Sequence, residues 1–456
     1  MRQLLMIGVA SVVLTACASG HSPIHKAALP EVPTQWREVA QGEAPILAQW
    51  WQAYGDPQLS AAIQASLAGN VDIAVAEARV REAEAMAVQA RSALLPSIDL
   101  AVGGQDGRSL SAFGTPSEAA SGSVQLQAAY EVDIWGRVRS GDAAARASLQ
   151  ASRYGRDAVG LSVAAATARA YITLLSLDAQ LVVARNTLIS RDEALRLATR
   201  RAEVGTSSRL ELTQATAEQR AAARQVPGLE LAVTRQENAL RLLTGSAPGP
   251  VPRGRFEDLK LVHPQPDMPS SLLARRPDIA QAEAQLLAAD ATLTSSKASL
   301  LPQVRLTASL GEVLAEGIDP LTVWSVGGSV LAPLFNHGRL AASVDASEAR
   351  RDQAAFAYRK TVLTAFSEVE NALAGIDKLQ RQATEAEGQH QALVEGLRHA
   401  RNRYRAGYAS YLEELDAQRG LLNVELGQVQ LHESRLLNSV SLYQALGGGW
   451  TAAASR

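Results

Sequence analysis

The chain repeats itself, and that duplication limits its fold more than any other feature. Asp72-Ile73-Ala74 and Ala76-Glu77-Ala78 return as Asp278-Ile279-Ala280 and Ala282-Glu283-Ala284. Leu94-Leu95-Pro96 returns as Leu300-Leu301-Pro302, at the same offset of 206 residues. Gly136-Arg137 returns as Gly338-Arg339. Gly205, Ser208, Leu210-Glu211 and Ala215 return as Gly407, Ser410, Leu412-Glu413 and Ala417, and Gly245 as Gly447, all at an offset of 202. Chance similarity does not hold one offset over such a span. The change of offset falls between Pro96 and Gly136, where a loop absorbs it.

Each copy carries the same layout. A helix of about 35 residues ends at Leu-Leu-Pro, and two strands follow. Gly-Arg then opens a very long helix, from about Arg137 to Glu203 and from about Arg339 to Arg405. A short turn bears Gly205 or Gly407, and a second long helix runs to Gly245 or Gly447. The stretch from Ser246 to Pro269 is rich in Pro and Gly and reads as the linker between copies. Ala, Leu, Gln, Arg and Glu dominate the helical stretches, and aromatic content is 4%, the composition of long helices. At 1.5 Å per residue, some 65 residues of helix reach about 100 Å, which implies a coiled coil or helical tube rather than a globular domain.

The N-terminus reads as an export signal. Met1-Arg2-Gln3 is followed by an apolar run from Leu4 to Leu14, too short to span a bilayer as a helix. The single cysteine, Cys17, closes Leu14-Thr15-Ala16-Cys17, which resembles a bacterial lipobox. That resemblance implies cleavage before Cys17 and lipid attachment to its thiol. Two acyl chains suffice for stable anchoring. Ala18 follows, and the absence of Asp there implies sorting to the outer membrane. One cysteine also excludes an internal disulfide framework. A net charge of -2 argues against a nucleic-acid partner.

The strands have the pattern of membrane strands. Val124, Leu126, Ala128, Tyr130, Val132 and Ile134 alternate with Gln125, Gln127, Ala129, Glu131 and Asp133. Val304 to Leu310 and Ile98 to Val102 alternate in the same way, and Trp324 to Ala332 does so more weakly across Gly327 and Gly328. A period of two puts one set toward lipid and the other toward water. Trp135, Trp324 and Phe335 are expected near strand ends. No segment after the signal has 18 consecutive apolar residues, so a membrane crossing would use strands closed into a barrel. Four strands are too few to close, since the smallest outer-membrane barrels have eight. Two or three copies must then combine, and the pattern does not choose between them.

These features resemble the TolC/OprM-like outer-membrane factor family in its lipoprotein branch. The resemblance rests on the lipobox at Cys17, Trp50-Trp51 with Asp56-Pro57 and Leu59, and Arg276-Pro277-Asp278-Ile279. It also rests on Pro333-Leu334-Phe335-Asn336 with Gly338-Arg339, and on Tyr404-Arg405-Ala406-Gly407 with Leu415-Asp416-Ala417-Gln418. It implies an α+β membrane protein: a homotrimer with a 12-stranded β-barrel, four strands per subunit, continued by a long α-helical barrel through the periplasm. It further implies the passive exit duct of a tripartite efflux pump for drugs or other small molecules. The partners implied are a periplasmic adaptor, an inner-membrane transporter of the resistance-nodulation-division type, and outer-membrane lipid. At the periplasmic tip the resemblance places an acidic ring on Glu413, Glu414 and Asp416 and a gate link between Tyr404 and Glu211. Ala409 stands where some members carry a gate arginine.

The expected organisation is a signal peptide over 1–16, a lipidated segment over 17–58, repeats over 59–245 and 271–447 around a linker over 246–270, and a tail over 448–456. No catalytic constellation, metal motif or cofactor motif stands out. The Gly447-Gly448-Gly449 run lacks the Lys-Ser/Thr of a phosphate loop and reads as a helix stop. The alternatives to an efflux duct are a type I protein-secretion duct and a structural envelope lipoprotein without a pore.

Overall fold

A computed structural model describes residues 31–38, 47–110, 114–316 and 318–451. The expected signal peptide and Cys17 lie outside the described residues. The elements in chain order are α1 (Pro57–Gly69), α2 (Val71–Ser92), β1 (Ser97–Leu110), β2 (Pro116–Val132), α3 (Arg137–Glu203) and α4 (Arg209–Leu243). The second repeat supplies α5 (Pro269–Arg275), α6 (Pro277–Ala298), β3 (Gln303–Ala315), β4 (Ile318–Leu331), α7 (His337–Arg405) and α8 (Tyr411–Ala445).

The first helix of each repeat is broken where an unbroken one was expected. In the first repeat Asn70 leaves the helix, and its side-chain oxygen accepts from the Asp72 N–H at 2.8 Å, capping α2. In the second, Pro277 opens α6 and cannot continue the preceding helix. The break lets the chain turn against the end of its own repeat. Asn70 Nδ2 donates to the Leu243 carbonyl at 2.9 Å, and the Arg276 guanidinium donates to the Ala445 carbonyl at 3.0 Å. Asn70 and Arg276 stand 206 residues apart, Leu243 and Ala445 stand 202 apart, so the joint itself is duplicated. The backbone passes so close there that a Cβ at Gly245 would lie 2.0 Å from the Gly69 carbonyl oxygen. One at Gly447 would lie 2.0 Å from that of Arg275, and both glycines have positive φ.

The four strands form one antiparallel sheet in the order β1-β2-β3-β4. Opposed residues share a face, so the register tests whether the alternations agree. Leu100, Leu126, Leu310 and Trp324 form one cross-strand row, and Ile98, Ala128, Ala308 and Val326 the next. The row between them holds Asp99, Gln127, Ser309 and Ser325, with the Ser309 and Ser325 hydroxyls 2.9 Å apart. Over these rows one face is apolar and the other polar, and the next row on the apolar face already mixes Val102 and Val124 with Glu312 and Thr322. From Val124 to Val132 the apolar face runs along nine residues of β2, which matches the roughly 9–11 tilted residues that cross a bilayer.

Beyond Val124 the alternation stops but the ladder continues. Gly103–Leu110 pairs with Pro116–Ser123, and Arg108 meets Glu118 opposite it at 3.4 Å. Main-chain pairing needs no apolar face, so this extension is invisible to periodicity. Ile134, expected in the strand, lies outside it, because Asp133 turns away and accepts from the N–H groups of Val138 (3.0 Å) and Arg139 (2.8 Å) at the start of α3. Trp324 lies mid-strand rather than at an end.

The helices pack side by side in a layer. On the strand side the neighbours run α2–α3–α6–α7, and on the far side α4–α3–α8–α7. The main core lies where these halves meet. Trp50 stacks on Tyr443 with centroids 5.2 Å apart, and Leu59, Ile63, Tyr171, Leu174, Leu240 and Val440 close around them. The most apolar window of α3 has mean hydropathy 1.5, and Ala164, Ala165, Ala168, Ile172 and Leu175 of that helix are buried in this core. Its hydropathy serves packing of one helix on another.

Candidate functional site at the helix tips

The ends of the two long hairpins lie side by side, farthest from the sheet. Each turns on a glycine with positive φ, Gly205 (73°) and Gly407 (80°). Beyond each glycine an N–H reaches back into the last helical turn, Thr206 to the Arg201 carbonyl (2.9 Å) and Tyr408 to that of Arg403 (2.9 Å). This closure satisfies carbonyls that would otherwise end the helix unpaired.

A small apolar cluster holds the hairpins together: Ala198, Ala215, Tyr404, Tyr411 and Leu415, flanked by Leu195 and Leu212. The Tyr404 and Tyr411 rings are 5.7 Å apart, and the Arg201 guanidinium lies 4.9 Å from the Tyr404 ring centroid, a cation–π contact. The Tyr404 hydroxyl donates to the Glu211 carboxylate across the hairpins. Burial, and then the acceptor carboxylate, push the Tyr404 phenol well above its usual range. The structure thus brings together Tyr404 and Glu211, 193 residues apart.

The three acids of α8 do not share one environment. Asp416 is exposed, with Arg419 at 3.8 Å, and Glu413 is half-buried, with Arg403 at 3.4 Å. Glu414 is buried (8% exposed), paired with Arg401 at 3.3 Å and accepting from Gln418 Nε2 at 2.9 Å. Helical spacing explains the split: residues three apart face one way, and the next residue is turned by about 100°.

Sequence reasoning missed Arg191. It is buried in α3 between Ala184 and Ala198, at seven-residue steps in one buried stripe. An arginine in such a stripe was the available signal. Among the described residues no cluster of three or more potential metal ligands occurs.

A family model described as outer membrane efflux protein matches residues 62–246 and again 268–448. The chain belongs to this family. The pyoverdine export outer membrane protein OpmQ of Pseudomonas aeruginosa is 36% identical, covering 99% of this chain and 97% of that protein. The toluene efflux pump outer membrane protein TtgC of Pseudomonas putida is 32% identical over 92% of this chain and 88% of its own length. Among solved structures, the outer-membrane channel OprN superposes with a TM-score of 0.86 at 27% identity, covering 93% of this chain and 99% of that one. This outer membrane efflux protein is therefore a channel subunit of an efflux system. It resides in the outer membrane, extends into the periplasm and acts by passage rather than catalysis.

Proposed function

We propose that three copies of this efflux protein close into one gated duct, with a twelve-stranded barrel in the outer membrane and a helical tube below it. The supporting observation is that the open edges of the subunit coincide. β1 is one free edge of the sheet and β4 the other, while α2 and α4 end the helical layer on one side and α7 on the other. A neighbour that pairs its β1 with β4 therefore also brings its α2 and α4 beside α7. Unpaired strand edges require such cover, and closing the barrel turns the apolar face to lipid. Two copies would give eight strands, an interior that side chains fill, which leaves no water-filled path for the polar face. Three copies leave a wet lumen.

Lipid on Cys17 anchors each copy. At the tip, the symmetry axis gathers Glu413 and Asp416 into acidic rings that attract cations and repel anions. Glu414 braces the ring from behind, and the Tyr404–Glu211 bond holds the closed state. A periplasmic adaptor and an inner-membrane transporter of the resistance-nodulation-division type dock below and supply the energy. The relatives are named for cargoes as different as pyoverdine and toluene, which fits a passive duct whose cargo is chosen by the transporter.

Purified protein in planar bilayers tests this reading. The expected result is a small, cation-selective conductance that rises when Tyr404→Phe removes the link. No conductance from wild type or link variant overturns the pore, and a dimeric mass overturns the trimer.

A further inference from the structure

We propose that Arg191 is a buried latch of the tip, a positioning residue that holds α8 and its acidic stretch against α3 and α4. The proposal rests on the reading of the tip as the gate. The Arg191 guanidinium donates to Gln418 Oε1 of α8 and faces the Glu218 carboxylate of α4 at 3.8 Å. Gln418 donates in turn to Glu414, which pairs with Arg401 of α7. Glu218 also receives Arg419 of α8, which lies near Asp416. One connected network spans all four tip helices, and Arg191, with 4% of its side chain exposed, is its buried centre.

The repeated framework does not need this charge. At the offset of 202, Arg191 and Glu218 correspond to Leu393 and Gly420, and a Cβ added at Gly420 would lie 3.1 Å from Leu393 Cδ2. The second hairpin thus closes the same helix pair with a leucine against a glycine. A buried ion pair is commonly no more stabilising than apolar side chains of similar volume, so packing alone does not account for arginine here. A polar group in a coiled-coil seam does specify which helices meet and in what register. Swinging α8 away from α3 would leave the guanidinium without its Gln418 acceptor in a buried seam, and that loss opposes opening. Beside the network lies a cleft of about 920 Å³, lined by Arg200, Glu203, Arg401, Tyr404, Tyr411 and Glu414. The two hairpins therefore meet across open space, through a small apolar cluster and polar links rather than continuous packing.

Burial gives the latch its own signature. The solvent-accessible Arg403–Glu413 and Arg419–Asp416 pairs are screened in concentrated salt, where the Debye length falls to about 3 Å at 1 M. The buried Arg191–Gln418 bond is not. Single-channel and macroscopic currents of the full chain should be compared for wild type, Arg191→Met, Gln418→Leu, their double variant, Tyr404→Phe and Asp416→Ala. Arg191→Met and Gln418→Leu should each raise mean current about tenfold or more, the magnitude of a lost charged hydrogen bond. The double variant should exceed neither by much, because both break one link. Wild type should keep its low open probability in 1 M salt while Arg191→Met opens further. If Arg191→Met fails to assemble, Gln418→Leu, which removes the acceptor and no charge, carries the test alone. Wild-type currents in the two latch variants beside raised current in Tyr404→Phe or Asp416→Ala overturn the latch and leave the gate. Wild-type currents in every variant overturn both.

Discussion

Asn70 and Arg276 occupy the same joint of the two repeats and close it with different chemistry. Asn70 uses a neutral amide to cap α2 and hold the Leu243 carbonyl. Arg276 uses a buried guanidinium that meets Asp278 twice, at 3.0 and 2.7 Å, Glu368 at 2.6 Å and the Ala445 carbonyl at 3.0 Å. The tips diverge in the same manner. Tyr404 in the second hairpin corresponds to Ala202 in the first, and Leu393 in the second to Arg191 in the first. A repeated backbone specifies where a contact must be made. The side chain placed there decides how strong it is and whether it can be undone.

The largest test of that difference is at the joints. Arg276→Ala removes a buried guanidinium and its charged hydrogen bonds, while Glu368 and Asp278 keep access to water, and should cost about 2–3 kcal/mol. Asn70→Ala loses a cap and should cost about 1 kcal/mol. Thermal loss of helical circular dichroism, scored alongside oligomer integrity, compares them, and equal losses would break the distinction. Next comes Tyr404→Phe, whose lost bond to a carboxylate is worth about 1.5–3 kcal/mol and should appear as tenfold or greater leak.

The same link carries a pH signature. The Tyr404 phenol is raised from its ordinary value of 10.0 in the closed tip, so its contribution is complete below about pH 10 and is lost as pH rises further. Wild-type current should be flat from neutral pH to about 9 and rise above 10, and Tyr404→Phe should lack the Tyr404 part of that rise. The smallest effect separates the acids. Glu414→Ala should lower stability by about 1–3 kcal/mol by stranding Arg401 and Gln418. Asp416→Ala should stay within about 0.5 kcal/mol while shifting cation preference in reversal-potential measurements. A change of selectivity from Glu414→Ala alone would reverse the roles.

Several features were legible because they are periodic. The repeat offsets located both long hairpins and their turns at Gly205 and Gly407, and the period-two alternation located the sheet's two faces. The breaks at Asn70 and Pro277 carried local signals, Gly69-Asn70 and a proline at a first helical position, but the helical pattern runs through them. The outer part of the β1–β2 hairpin had no signal, since Gly and Ser paired by main chain alternate in nothing. At the tip, the resemblance put Glu413, Glu414 and Asp416 on one ring, and the structure instead buries Glu414, which helical spacing turns away from the other two. The partner of each acid did not follow from spacing, because Arg401, Gln418 and Arg191 come from three different helices.

By itself the sequence determined the framework: two copies of one unit, very long helices and strands with one apolar face. Those follow from periods of 3.6 and two, which are properties of neighbouring residues. Only the tertiary structure decided which strands share a register, that the free edges of sheet and helices coincide, and that Arg191 lies buried among four helices. These depend on which residues meet across hundreds of positions, and the energy of a buried charge is settled by such neighbours.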